Sequence, residues 1–223
     1  MNVSSDIYYT LLASLPAMPT DYRQPHTPIS WLRLEGRLAI LDKDTRKLVN
    51  SLFSLMNFDT SEAGRIDRKN QELYRQLTET MTDSQQRELL DLLIDTRDIV
   101  AALRARRQQQ PPPPMLGNYA VHIKWNWHQA DFRLGLRFPW INPVRHFLDN
   151  DQISKAEDRI FHALWQEVRR HGERHHFSLP ALIAYLLQWH LVSTWSARDE
   201  KRSRQRFTKL LEEAVNGYDA LFA

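Results

Sequence analysis

The sequence predicts an all-helical fold, a multi-helix bundle. Residues with high helix propensity, above all Leu, Arg, Gln, Glu and Ala, are plentiful, whereas glycine occurs only 6 times in 223 residues. Apolar side chains recur at helical spacing over long stretches, most clearly in the segment TDSQQRELLDLLIDTRDIVAALRARRQQQ and again in the C-terminal third. The chain is long enough to bury a core and to form one or two domains.

The first quarter of the chain contains a short apolar run and then two predicted helices. The run IYYTLLASLP ends at Pro16, and at this length it fits either a strand or the first turns of a helix. Ser30 is the predicted N-cap of a helix that carries Trp31 and Leu34, and Asp42 is the predicted N-cap of the next. That second helix places a buried stripe at helical spacing, formed by Leu48, Val49, Leu52, Phe53 and Met56.

Two further helices precede a proline tract. We interpret NFDTSEAGRID as a polar break, RKNQELYRQLTETM as a short helix, and residues 82–110 as the clearest helix of this half. The tract QQQPPPP must end that helix, because four prolines remove four amide donors. It predicts a proline-rich connection near residues 108–114, which divides the chain into residues 1–107, a linker or loop at 108–117, and residues 118–223, unless all three form one continuous domain. We favour an exposed loop over a ligand for a proline-recognition domain.

The segment after the prolines is ambiguous. Its apolar residues alternate as in a strand, whereas Tyr119, Ile123 and Trp127 also lie four apart, as on one face of a helix. The local pattern of residues 119–132 slightly favours a strand.

The last part of the chain predicts helices with clearer boundaries. SKAEDRIFHALWQEVRRHG forms a helix with an apolar face, and Gly172 is its predicted C-cap. Ser178 is the predicted N-cap of the following helix, with Pro180 in its tolerated first turn. Beyond the charged stretch SARDEKRSRQ, the segment RFTKLLEEAV continues as a last helix.

Composition excludes several classes of protein. The chain has no cysteine, which excludes disulfides, thiolate metal sites and cysteine nucleophiles. Its longest apolar run, residues 181–187, is too short to span a bilayer, and the start lacks the pattern of a signal peptide. We therefore expect a cytoplasmic protein. The net charge of +3 does not by itself indicate a nucleic-acid-binding protein.

A histidine cluster, HGERHH, is the first candidate for chemistry. In a zincin helix the glutamate directly follows the first histidine, whereas here Gly172 separates His171 from Glu173. If the helix ends at Gly172, His171 and His175 do not share a helical face, and zinc needs three or four convergent ligands. The sequence contains neither a phosphate-binding glycine loop nor a nucleophile elbow. We predict no catalytic residue, no metal and no cofactor.

Basic residues mark a second candidate, an interaction surface. They lie at the end of the helix before the prolines and in the charged part of the C-terminal segment: Arg104, Arg106, Arg107, Arg198, Lys201, Arg202 and Arg204. Such a surface would bind an acidic protein, RNA or lipid headgroups. The alternative is that these charges only keep a helix surface soluble.

Two stretches resemble a known family. YYTLLASLP, residues 8–16, resembles the opening of an uncharacterised bacterial family encoded beside V-type ATPase subunits. Residues 177–211 resemble the terminal helices of that family, in which an apolar run leads into a charged segment. The matching positions in this C-terminal stretch are Ala184, Tyr185, Leu187, Trp195, Asp199, Phe207 and Leu210. The chain differs from the pattern at Gln188, Thr194 and Ser203.

The family is similar to the C subunit of V/A-type ATPases, the counterpart of the eukaryotic d subunit. The resemblance implies an all-helical, non-catalytic component that couples the central stalk to the membrane rotor ring and takes part in ion transport. Its expected partners are other V-type ATPase subunits, through which it would lie at the inner membrane face. It also implies a helix for residues 119–132, the interpretation that we adopt. The alternative function is a basic helical adaptor or nucleic-acid-binding module, and a hydrolase that uses the histidines comes third.

Overall fold

The structure is a computed structural model that describes residues 3–56, 68–81 and 83–219, with side chains over residues 6–55, 71–81 and 83–199. Within these residues the chain is helical and contains no strand, which confirms the all-helical class. The predicted polar break at residues 57–67 lies outside the described residues. The helices in chain order are α1 Val3–Ser14, α2 Trp31–Leu38, α3 Lys43–Met56, α4 Arg68–Thr80, α5 Ser84–Arg107, α6 Ala120–Trp125, α7 Ile141–Asp149, α8 Ile153–Arg174 and α9 Leu179–Asp219.

Helices α8 and α9 form the centre of the fold. They make the most extensive contact between any two described helices, and α7, α5 and α1 pack around them. Each apolar stripe buries one face, as the spacing predicts: Leu89, Leu90 and Ile94 of α5 pack with Val168 of α8 and Leu187 of α9. This core therefore combines residues from both sides of the proline tract.

Gly172 lies inside α8, and the prediction that the helix ends there is wrong. The helix continues to Arg174, and His175 is its C-cap. A Cβ atom at Gly172 would lie 3.2 Å from the Cβ of Ala184 in α9. The glycine therefore permits the close approach of α8 and α9, a tertiary requirement that resembles a C-cap signal in the sequence.

The region after the prolines is helical only in part. Residues 120–125 form α6, and turns follow as far as α7, so the strand pattern does not correspond to a strand. Only Ile123 of α6 is fully buried, whereas Val121 and Trp125 are exposed. The alternation therefore reflects the exposed and buried sides of one short helix.

The two stretches that carry the family resemblance lie against each other. Leu11 and Leu15 share a buried cluster with Leu182 of α9, and the ring centroids of Tyr9 and Phe177 are 4.6 Å apart. The Tyr185 hydroxyl donates a hydrogen bond of 3.0 Å to the carbonyl oxygen of Pro16. The opening run is a helix, α1, and the final predicted helix is continuous with α9, which extends about 60 Å at 1.5 Å per residue.

No helix in the described part of the chain combines the length and apolar character needed to cross a membrane.

Candidate protein-binding groove

An open groove of about 810 Å³ lies between α2, α3 and α9. Leu34 and Leu38 of α2 and Val49 of α3 are buried in the cluster that α1 and α9 share. Other residues of α2 and α3 therefore lie beside α9 and form the sides of the groove with it. The residues that line the groove are Trp31, Glu35, Asn50, Phe53, Ser54, Trp189, His190, Ser193, Thr194, Ala197 and Arg198.

Three aromatic rings form the floor of the groove. The centroid of Trp31 lies 4.9 Å from that of Phe53 and 5.6 Å from that of Trp189. Trp189 is fixed because its Nε1 donates a hydrogen bond of 2.7 Å to the carbonyl oxygen of Ile29. Trp31 remains 42% exposed, whereas Phe53 and Trp189 are buried. The floor is therefore a rigid apolar surface with one indole open to solvent.

Polar side chains form the rim. Glu35, Asn50 and Ser54 are exposed, and they provide a carboxylate, an amide and a hydroxyl. On the α9 side, Arg198 lies with a guanidinium nitrogen 3.4 Å from Glu157 Oε2 and stacks on the ring of Phe161. An aromatic floor with a polar, hydrogen-bonding rim is typical of a surface that binds another protein.

Two residues of the predicted basic interaction surface, Arg106 and Arg107, bind partners within the chain. The Arg106 guanidinium donates to the carbonyl oxygens of Gln129 and Ala130 and lies 4.6 Å from the ring centroid of Phe132. Arg107 forms an ion pair with Asp151.

The other predicted members of that surface lie near α9 or on it. Arg104 is half-buried, and its charge interacts with Glu157 and Arg198. Lys201, Arg202 and Arg204 lie on the helical backbone of α9, and their side chains are outside the described residues. The structure therefore does not gather the seven predicted residues into one described surface, and their role stays a prediction.

In the histidine cluster only His171 is buried, beside α5, whereas His175 is half-buried and His176 is exposed. His171 is only 1% exposed, its Nδ1 lies 3.2 Å from Glu88 Oε2, and its ring centroid lies 4.5 Å from that of His175. Burial lowers the pKa of His171 below its ordinary value although Glu88 opposes this shift, so the imidazole is neutral near pH 7. Among the described residues no group of three or more His, Asp or Glu side chains is placed to hold a metal ion.

Two buried carboxylates hold the chain where it leaves the proline tract. Asp98 Oδ2 accepts hydrogen bonds from the backbone N–H groups of Leu116 and Gly117, at 2.7 and 2.6 Å. Asp95, one turn earlier on α5, accepts hydrogen bonds from the Asn118 backbone and side-chain N–H groups. The segment after the prolines is therefore fastened to α5 by charge-assisted hydrogen bonds.

Asp95→Asn is expected to change how stability depends on pH. Burial raises the pKa of Asp95 to about 6, and the backbone hydrogen bonds from residues 118 and 119 offset only part of this shift. In the unfolded chain the pKa of an aspartate is about 3.9, so between about pH 4 and 6 the folded state binds more protons at Asp95 than the unfolded state does. The free energy of unfolding therefore falls as the pH rises through that window. Across the whole window Asp95 lowers the free energy of unfolding by about 2–3 kcal/mol, and Asp95→Asn removes this loss because asparagine does not titrate.

The measurement is the free energy of unfolding by urea at pH 4.5 and at pH 7. We expect the free energy of unfolding at pH 7, minus that at pH 4.5, to be more positive for Asp95→Asn than for the wild type. Asp44→Asn removes the same charge from an exposed position and is the control. Identical pH dependence in the wild type and Asp95→Asn would contradict the prediction.

The groove itself was not predicted. The sequence predicts helices that carry Trp31 and Phe53, and it predicts a helix after Ser178 that includes Trp189. Trp31 and Trp189 are far apart in the chain, and no local pattern shows that they meet. Comparisons with protein families, with curated proteins and with solved structures found no match to this chain.

Proposed function

We propose that this chain is a non-catalytic component of a V/A-type ATPase, similar to its C subunit, which couples the central stalk to the membrane rotor ring. In this function the chain binds neighbouring subunits and transmits force between them, while ATP hydrolysis and ion transport take place in the partners. Such a task requires rigid helices and binding surfaces rather than an active site.

The observation that carries the proposal is the contact between the two resembling stretches. They are far apart in the sequence, yet Tyr185 in the second donates a hydrogen bond to the end of the first at Pro16, across 169 positions. Leu11 and Leu186 also share one buried cluster. Two motifs that mark one family are expected to belong to one structural unit, and these two stretches do. Their association supports the kinship.

The aromatic groove provides a binding surface for a neighbouring ATPase component. Trp189 belongs both to the buried cluster of the terminal stretches and to the groove floor, so the floor is rigidly connected to the unit that carries the resemblance. Tryptophan is among the residues that contribute most to protein–protein binding, because it buries a large area at a low cost in conformational entropy. We therefore assign the groove to one of the contacts between subunits.

The proposal is tested by affinity purification of the full chain from its native host, followed by identification of the recovered proteins. We expect stalk or ring subunits of a V/A-type ATPase. Asn50→Arg places a long charged side chain in the groove and is expected to lower their recovery at least about tenfold, since an unpaired charge opposes burial at an interface. Gln76→Arg makes a similar change on the exposed face of α4, outside the groove, and should leave recovery unchanged.

The same experiment examines the alternative of a nucleic-acid-binding module. Recovery of RNA without any ATPase component, lost steeply as salt rises, would overturn the proposal in favour of that alternative. The contacts of Arg106 and Arg107 within the chain do not favour it, since they direct these guanidinium groups to internal partners.

A further inference from the structure

A surface near α6 displays apolar and basic side chains together. Val121 and Trp125 lie one helical turn apart on α6 and are 57% and 78% exposed, and Leu136 in the following turns is fully exposed. Lys124, Arg133 and Arg137 are exposed in the same short segment. We call these six residues the Trp125 surface.

Internal packing makes this surface rigid. Ile123, on the opposite side of α6, shares one buried cluster with Phe132, Leu134 and Phe138. Residues 132 and 133 have φ angles of 54° and 57°, a strained conformation that is maintained because Phe132 is fully buried and stacks on Trp127 with ring centroids 5.5 Å apart. Since Leu134 and Phe138 both point inward, Leu136 between them points outward.

Contacts between α6 and the turns join the two parts of the surface. His122 Nε2 lies 3.0 Å from the carbonyl oxygen of Phe132, and the ring centroids of Tyr119 and Phe138 are 5.3 Å apart. A glycine at position 135 is also required, because a Cβ atom there would lie 2.4 Å from Asp131 Oδ2. The exposed side chains therefore project from one small, firmly folded unit.

The charge of this surface is positive. It carries three basic residues, Lys124, Arg133 and Arg137, and one acidic residue, Asp131, lies beside them in the sequence. Asp131 is half-buried and accepts a hydrogen bond of 2.9 Å from the backbone N–H of Arg133. The net charge of these four residues is +3 − 1 = +2; Arg145, the next basic residue along the chain, is paired with Asp149 at 3.2 Å and does not add to it.

We propose that the Trp125 surface binds the headgroup region of a bilayer that contains anionic phospholipids. Tryptophan is the side chain most typical of the membrane–water interface, and exposed Lys and Arg residues are attracted to anionic lipids. This inference goes beyond the proposed function, in which the chain reaches the membrane through its partners.

The projecting side chains and the positive charge of the surface suit a bilayer that contains anionic lipids. Trp125 and Leu136 project from the body of the chain with most of their area in solvent. A fluid interface accepts such projecting side chains without a matching shape. Lys124 and Arg137 would then meet the phosphate groups around them.

The test is sedimentation of the purified full chain with vesicles of phosphatidylglycerol and phosphatidylcholine mixed in equal parts, and with phosphatidylcholine vesicles alone. We expect binding to the mixed vesicles that weakens as salt rises, and binding at least about tenfold weaker to phosphatidylcholine, because each basic side chain contributes roughly fivefold. Trp125→Ala combined with Leu136→Ser is expected to lower binding to the mixed vesicles at least about tenfold.

Matched control variants distinguish binding through the Trp125 surface from non-specific binding to vesicles. Leu32→Ser removes an apolar side chain that is 79% exposed on α2 and should not change vesicle binding. Lys124→Gln with Arg137→Gln should weaken binding about 25-fold, and Lys43→Gln with Lys47→Gln, on exposed positions of α3, should not. All substituted positions are exposed, and circular dichroism checks that each variant is folded.

Absence of binding, equal binding to both kinds of vesicle, or equal loss in the α2 and α3 controls would overturn the inference. Capture of an acidic protein through Trp125, without vesicle binding, would also overturn it. The assay uses no other ATPase component, so its result is independent of the proposed function.

Discussion

Tyr22→Ala is expected to destabilise the folded chain by about 3–5 kcal/mol, the range for removal of a buried aromatic side chain. Tyr22 is fully buried although it lies in the proline-punctuated loop between α1 and α2. Its ring packs on α8 and α9, with centroids 6.0 Å from Trp165 and 5.2 Å from Trp195. The variant would open a cavity at the central helix pair.

The hydroxyl of Tyr22 contributes through Asp158. It donates a hydrogen bond of 2.7 Å to Asp158 Oδ1, and Arg23 donates two more to the same carboxylate. Burial, together with the hydrogen bond to Asp158, raises the pKa of Tyr22 well above its ordinary value, so the hydroxyl stays protonated and can donate. Tyr22→Phe should therefore cost about 1–2 kcal/mol, because Asp158 retains Arg23.

The measurement is the free energy of unfolding by guanidinium chloride for the wild type, Tyr22→Ala and Tyr22→Phe. Tyr9→Ala is the control, since Tyr9 is an aromatic residue that is 57% exposed. We expect a loss of less than about 1 kcal/mol for this control. A similar loss for Tyr9→Ala and Tyr22→Ala would show that the loop does not anchor the helix pair.

Tyr22 also illustrates what the sequence can predict. Helical stripes such as Leu89, Leu90 and Ile94 could be assigned because burial of a helix face leaves a local 3.6-residue period. Tyr22 has no such signal: it lies among prolines, and its hydrogen-bond partner Asp158 is 136 positions away. Contacts of this kind depend on the arrangement of the helices, which the local pattern does not contain.

The candidate surfaces follow the same division. The sequence identified Trp31 and Trp189 as helical residues, but the groove exists only because α2 and α9 are packed side by side. Conversely, the sequence pattern around Arg106 is that of a basic helix end in solvent. In the structure its guanidinium donates a hydrogen bond to the carbonyl oxygen of Gln129, 23 residues later in the chain. Residue type and period predict the helices, whereas tertiary contacts decide which polar groups remain available for binding.

Gly117→Ala is expected to destabilise the chain by about 1–3 kcal/mol, the cost of forcing an extra carbon into a filled site. A Cβ atom at Gly117 would lie 2.3 Å from Asp95 Oδ1 and 3.2 Å from the Cα of the same residue. The carboxylate of Asp95 would have to move, or the chain would have to withdraw from α5. Withdrawal would break the two hydrogen bonds that Leu116 and Gly117 donate to Asp98.

Gly36→Ala provides a control of opposite sign. Gly36 lies within α2, and a Cβ atom there would have no neighbour within 4 Å. Because alanine has the higher helix propensity, this variant should stabilise the chain by about 0.5–1 kcal/mol. Urea unfolding of both variants measures the contrast, and the same sign for both would contradict the role of Gly117.

A double variant identifies the cause of the Gly117→Ala effect. If the alanine collides with the Asp95 carboxylate, then Asp95→Ala removes the colliding atom and Gly117→Ala should cost less in that background, with a coupling energy of at least about 0.5 kcal/mol. Additive losses would instead mean that the new methyl group meets Asp98 Oδ2 or the backbone of α5, which would lie 3.1 and 3.2 Å from it. In either case the substitution acts on the hydrogen bonds that hold residues 116 and 117, just before α6, against α5. We therefore expect the position of the Trp125 surface to depend on Gly117, which the sequence alone does not distinguish from an ordinary loop residue.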